Sequence, residues 1–279
     1  MTDERSNLTE PASPERAKAY IATRGLRGGR IISPTADDLI DLLAHDLLEA
    51  ARQRTSRSGV FHLALSGGST PQALYSRLMI DPRYRLMPWP LTHIWIVDDR
   101  CVSFDDERSN YRMIREFIVE HVNIPDNHVH AMRVLEPAGD REYEADLRAA
   151  LTNREAEGRL DYVLLGMGGD GHTASLFPQT PALRETERWA VFNDGEAMAA
   201  PRPRMTMTFP LINAARQIAV LVTGESKHAM LQRVAVSSDS PDAVARLPIT
   251  GVRPEHEDGK LTWFLDYPAA VGPKMAAEQ

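Results

Sequence analysis

Apolar and polar positions along the chain follow two alternating patterns. "VFHLAL" is a short unbroken apolar run, as expected of a strand covered on both faces, and it stops at "SGGSTP", a glycine turn opening a helix that accepts Pro71 in its first turn. "THIWIVDDR", "DYVLLGMG" and "QIAVLV" read as further strands. Between them the period lengthens. After "GRIISPT", a strand and a helix cap, Leu39, Leu42, Leu43, Ala44 and Leu47 recur at helical spacing. "SNYRMIREFIVEHV" and "EYEADLRAALTNR" are also helical, and "VTGESKHAMLQRV" repeats strand end, turn and helix. This alternation predicts an α/β fold: a single domain on a mostly parallel, Rossmann-like sheet with helices on both faces. In such a sheet, turns distant in sequence meet at the carboxyl edge, where ligands usually sit.

Length and charge narrow the reading. No linker or composition break divides the 279 residues, so one domain is expected over residues 29–279, preceded by a polar, turn-rich stretch, 1–28, expected to be a flexible extension. A formal net charge of -7 argues against a nucleic-acid partner, and any anionic ligand then needs a locally positive pocket. One cysteine, Cys101, excludes an intramolecular disulfide and fits a reducing compartment. The opening "MTDERSNLTEPASPERAK" has acids where a secretory signal has bases, and no run approaches the roughly 18 apolar residues of a membrane span, so a cytoplasmic protein without a membrane partner is expected.

The candidate chemistry lies at the strand ends. "YVLLGMGGDGHTASLFP" holds a literal G-x-G-x-x-G in Gly166, Gly168 and Gly171. A dinucleotide fingerprint opens a regular helix and is followed by a strand ending in an acid roughly 20 residues on, whereas here Pro178 and Pro181 interrupt the segment before Glu185 and Glu187. The alternative is a tight turn that brings Asp170 and His172 to a ligand, where an imidazole exchanges protons near neutral pH. "LSGGSTP" places Ser66, Gly67, Gly68, Ser69 and Thr70 between a strand and a helix start, a setting that suits an anion but lacks the G-K-[ST] ending of a P-loop. It misses the G-x-S-x-G nucleophile elbow by one residue, because Pro71 stands where the second glycine belongs. Asp98, Asp99 and Arg100 end a strand; the arginine fork suits a phosphate or carboxylate, and Asp98 is positioned to hold that fork or a histidine. Arg202, Arg204 and Lys227 are further sources of positive field. His128 and His130 in "NHVHAM" lack an evident third metal ligand.

Taken together, "LSGGSTPQALY", "IWIVDDRCVSFDDERSNYRM", "LLGMGGDGHTASLFP", "PRMTMTFPLINAAR" and "VTGESKHAM" resemble the 6-phosphogluconolactonase family in order and spacing, from about residue 30 to 267. The resemblance implies hydrolysis of 6-phospho-D-glucono-1,5-lactone without metal or organic cofactor, with a phosphorylated sugar lactone as small-molecule partner. It implies His172 as acid/base, Arg100 as the group that fixes and neutralises substrate, and the Ser66–Thr70 turn with Lys227 at the phosphate. Arg204 carries over less directly. The family commonly has V-D-E-R where this chain has Val97-Asp98-Asp99-Arg100, and commonly another residue at Gly169. Related deaminase/isomerase enzymes carry an extra acid soon after their D-G-H motif, and Thr173 to Pro178 contain none. A serine hydrolase using Ser69, or a sensor with the pocket but not the chemistry, are the other readings.

Overall fold

Every residue of Phe61–Leu65 is buried, which requires cover on both faces of the strand it forms. The computed structural model describes residues 14–153, 155–195, 198–237, 240 and 242–272. In chain order the strands are β1 (Gly29–Ser33), β2 (Phe61–Leu65), β3 (Thr92–Ile96), β4 (Asp98–Arg100), β5 (Val129–His130), β6 (Tyr162–Gly166), β7 (Ala190–Asn193), β8 (Arg204–Met207), β9 (Gln217–Val222) and β10 (Lys260–Asp266). The helices are α1 (Pro14–Ala22), α2 (Ala36–Ser58), α3 (Ser69–Ile80), α4 (Asn110–Phe117), α5 (Gly139–Leu151), α6 (Phe209–Ala214), α7 (His228–Ser237), α8 (Ala243–Arg246) and α9 (Tyr267–Val271).

Among the described residues the main sheet has seven strands in the order β1-β10-β9-β6-β2-β3-β5, all paired in parallel. β9, β6, β2 and β3 are therefore consecutive neighbours, and the turns that leave them emerge side by side at one edge. The strand and helix assignments read from the apolar pattern hold for β1, β2, β6 and β9 and for α2 to α5 and α7. α2 starts at the Thr35 cap, whose hydroxyl accepts from the Asp38 amide, and ends at Gly59 in the left-handed conformation.

Two elements depart from the expectation. "THIWIVDDR" is not one strand. Val97 donates its amide to Leu65 O at 3.0 Å and accepts from the Met207 amide at 2.8 Å, so it joins two sheets. Beyond it, Asp98–Arg100 enters an antiparallel sheet of order β4-β8-β7. The second departure is at the amino end. Within the stretch expected to be a flexible extension, residues 14–22 form α1 against α9, Ala19, Thr23 and Leu26 are buried, and Arg30 donates to Thr23 O at 2.6 Å. Residues 1–13 of that stretch lie outside the described residues. No helix among the described residues is long and apolar enough to cross a membrane.

Candidate active site

The neighbouring turns after β2, β6 and β9, together with β4 and β8, enclose a cleft of about 320 Å³. Its lining includes Ser66, Gly67, Gly68, Ser69, Thr70, Asp98, Arg100, His172, Arg204 and Lys227, so ten of the expected site residues come together. The eleventh, Asp170, reaches the cleft through His172.

At the β6 turn, the Nδ1 of His172 lies 2.5 Å from the Asp170 carboxylate, which also accepts the His172 backbone amide at 3.1 Å. Burial pushes the Asp170 carboxyl up, but the hydrogen bond and charge of His172 pull it further down, to below its ordinary range. With Nδ1 engaged, Nε2 is the nitrogen left for chemistry. The His172 side chain keeps 28% of its exposure, open enough to meet a ligand. Its ring stacks on Phe177, with centroids 4.1 Å apart.

The β2 turn is open in a complementary way. Gly68 caps α3 at φ 99°, where an L side chain is strained, and no side chain closes the helix N-terminus. The Ser66 hydroxyl is buried without a hydrogen-bond partner although Ser66 lines the cleft, which suits contact with a ligand oxygen. Gly67 has no room for a Cβ, which would overlap the Asn110 amide.

Asp98 and Asp99 divide the work of holding the β4 side. The Asp98 carboxylate accepts from Ser175 Oγ at 2.6 Å and from Asn110 Nδ2 at 3.4 Å. It is therefore engaged by Ser175 and Asn110, not by the arginine fork or histidine expected from its position. Asp99 is fully buried and accepts from the amides of Arg100, Asn110 and Tyr111 and from the Ser109 hydroxyl, at 2.7 to 3.0 Å. This ties the first turn of α4 to β4. Arg100 donates to Arg108 O at 2.6 Å, and its Nε is buried without a partner. Arg204 lies opposite Arg100 in the antiparallel register, so both side chains project from the same face. Burial first, and the nearby Arg100 charge second among the lowering causes, reduce the Arg204 pKa, against the pull of Asp98. Arg202 instead donates to Gly195 O.

Lys227, at the turn after β9, donates to Met167 O at 2.8 Å, which links the β9 and β6 turns. That turn is fixed by Asp266, whose carboxylate accepts the Gly224 amide. Asn110, Thr173 and Thr223 also line the cleft and were missed from sequence. Thr223 follows β9 as Ser66 follows β2, and that equivalence was the available signal.

His128 and His130, whose third ligand was not evident, stand beside His93: His130 Nε2 is 3.0 Å from His93 Nδ1 and the His128 ring stacks on His93 at 3.9 Å. The rings lie face to face, and no group of three metal-ligating side chains able to hold an ion occurs among the described residues.

The fold and cleft define an open-sheet α/β protein with an imidazole–carboxylate pair facing three cations at its carboxyl edge. The chain belongs to the family described as glucosamine-6-phosphate isomerases/6-phosphogluconolactonase, whose model matches residues 34–263. It is 36% identical over 241 residues to a 6-phosphogluconolactonase of Nostoc sp., covering 85% of this chain and 92% of that one. It is 40% identical over 254 residues to a GDH/6PGL endoplasmic bifunctional protein of Oryctolagus cuniculus; the match covers 88% of this chain but only 30% of that relative's length. Among solved structures, a 6-phosphogluconolactonase from Trypanosoma cruzi superposes with a TM-score of 0.73 at 27% identity, covering 88% of this chain and 96% of that one.

Proposed function

We propose that this chain hydrolyses 6-phospho-D-glucono-1,5-lactone to 6-phospho-D-gluconate, the lactonase step of the oxidative pentose phosphate route, in the cytoplasm. The observation that carries the reading is the His172–Asp170 pair opening into a cleft shared with Arg100, Arg204 and Lys227. The family sequences reported above support it, as does the absence of an acid from Thr173 to Pro178.

The lactone is an activated ester, so water is a sufficient nucleophile. His172 Nε2 takes a proton from that water as it attacks C1, and the charge developing on the carbonyl oxygen is met by cleft donors, with Arg100 the nearest in chemistry. The imidazolium, held by Asp170, then returns the proton to the departing ring oxygen. The dianionic phosphate lies with the uncapped α3 turn, Ser66 to Thr70, and Lys227. Asp98 serves by fixing the walls through Ser175 and Asn110.

The test is lactone opening by the purified chain, followed as acid release above the spontaneous rate. His172→Ala is expected to lose about 10²- to 10⁴-fold in kcat, the usual scale of general acid–base catalysis. Turnover unchanged in that variant would refute the assignment. Ser69→Ala separates the serine-hydrolase reading: loss of a phosphate ligand weakens binding, whereas loss of a nucleophile abolishes turnover.

A further inference from the structure

We infer that Phe177 is a positioning residue for this reaction, a rigid aromatic plate that sets the plane of the His172 imidazole and aligns it with the Arg204 guanidinium. The inference rests on the reading of His172 as general base. An imidazole that works on a bound water needs two things fixed: which nitrogen carries the proton, and where the other points. Asp170 settles the first through Nδ1. One hydrogen bond to a carboxylate that is itself part-exposed leaves the ring free to tilt about that bond.

Phe177 supplies the second constraint. Its ring stacks on the imidazole at 4.1 Å between centroids and 25° between planes, and the residue is only 1% exposed. Its backbone is clamped on the carboxyl side: Phe177 O accepts from Thr180 Oγ1 at 2.8 Å and from the Thr180 amide at 3.2 Å. Two residues earlier, Ser175 is fully buried and holds Asp98, while its own carbonyl accepts from Asn193 at 2.8 Å. The plate is thus fastened to three strands, β4, β7 and β8, the last through Thr206 Oγ1, which accepts the Ser175 amide at 3.2 Å.

The same ring carries the cation. Arg204 Cζ lies 5.1 Å from the Phe177 centroid, within cation–π range, and its guanidinium is held by donation to Pro201 O and Ala199 O. A single buried ring therefore contacts both the base and an arginine of the opposite wall. One ring that touches both is placed to set the position of each relative to the other.

The experiment compares Phe177→Leu and Phe177→Tyr with the wild type, reading kcat and KM for lactone opening and the NMR signals of the His172 ring, assigned with His172→Ala. Stacking predicts ring-current shifts of the His172 protons that persist in Phe177→Tyr and vanish in Phe177→Leu. Phe177→Leu is expected to lower kcat by about tenfold or more, the scale of a sub-ångström to ångström misplacement, with a smaller rise in KM; Phe177→Tyr recovers most of kcat. Phe177→Met, which refills the volume without a flat face, replaces Phe177→Leu if that variant does not fold. Wild-type kcat in the leucine or methionine variant, or His172 signals that do not move, overturns the plate. Wild-type kcat in His172→Ala instead overturns the role of His172, so the two failures are distinguishable.

Discussion

Gly168 passes beneath His172 so closely that a Cβ at Gly168 would stand 2.1 Å from the imidazole Nδ1 and 2.7 Å from the Asp170 carboxylate. The amide of Gly168 also donates to His172 O at 2.8 Å, so the turn closes on itself around the ring. Gly168→Ala therefore displaces both members of the pair and is expected to cost about 10²-fold in kcat, the scale of an ångström-sized misplacement. Gly169 meets nothing within 4 Å and has no positive φ, so Gly169→Ala is expected to stay within about twofold of wild type. Steady-state kinetics of the two neighbouring variants checks both; equal effects would contradict this geometry.

Asp170→Asn keeps the size of the side chain and removes its charge. An amide can present its NH₂ to Nδ1 and favour the wrong tautomer, so kcat is expected to fall by about 10²-fold or more while KM changes little. Because the Asp170 carboxyl is held below its ordinary value of about 4, the pair is intact above that pH and is lost only as pH falls through the lower folded value. An NMR titration of the side-chain carboxyl signals below pH 5, with Asp170→Asn to assign the one that belongs to Asp170, measures this.

Lys227→Ala removes a cation at the proposed phosphate end without touching the imidazole. A charge-assisted hydrogen bond made equally in ground and transition states is worth roughly 1.5–3 kcal/mol, so KM is expected to rise about 10- to 100-fold with kcat nearly constant. A collapse of kcat at constant KM would place Lys227 at the reacting carbon instead.

Away from the cleft, three imidazoles and one indole lie together on β2, β3 and β5, with His128 just before β5 stacked on His93. His130 stacks on Trp95 at 3.6 Å, and His62 Nδ1 accepts from Trp95 Nε1 at 3.2 Å, a bond that requires neutral His62. Burial, with the neighbouring imidazoles and, for His62, Arg54 adding to it, lowers the pKa to about 3 for His62, about 4 for His93 and about 3 for His130. The unfolded chain takes up these protons near pH 6.5 and the folded chain does not, so stability is full above about 6.5 and falls as pH drops from there toward 4. Buried His62 costs up to about 1.4 kcal/mol per pH unit in that window, and part-buried His93 and His130 less. Urea unfolding at pH 7.5 and pH 5 is expected to show the loss, and His130→Phe to reduce its slope. A free energy that does not change between the two pH values would contradict it.

Much of the site was legible because its chemistry is local: glycines, hydroxyls and charged groups cluster in the few residues after each apolar run, and parallel pairing brings those ends together. What escaped was set by distant partners. Nothing within "THIWIVDDR" marks the break at Val97, because that break exists only once Met207, over a hundred residues later, donates to it. The true partner of Asp98 is Ser175, 77 positions away, and no local pattern joins them. α1 was hidden because a small residue, Ala19, is buried on it while Ile21 is left exposed, so no apolar stripe shows. Nothing in the sequence around Phe177 marks it, since a stacking role depends on what lies against its faces.

Arg100 and Arg204 occupy opposing rungs of one antiparallel ladder. The Asp98 carboxylate attracts Arg204 more strongly than the like charge of Arg100 repels it, so an acid at the start of β4 lets two guanidiniums face each other across one rung. An anionic group bound at the proposed site would add to that attraction, so occupancy is expected to reinforce the small sheet as well as to fill the cleft. Ligand affinity and the resistance of the β4–β8 ladder to opening are then expected to rise and fall together.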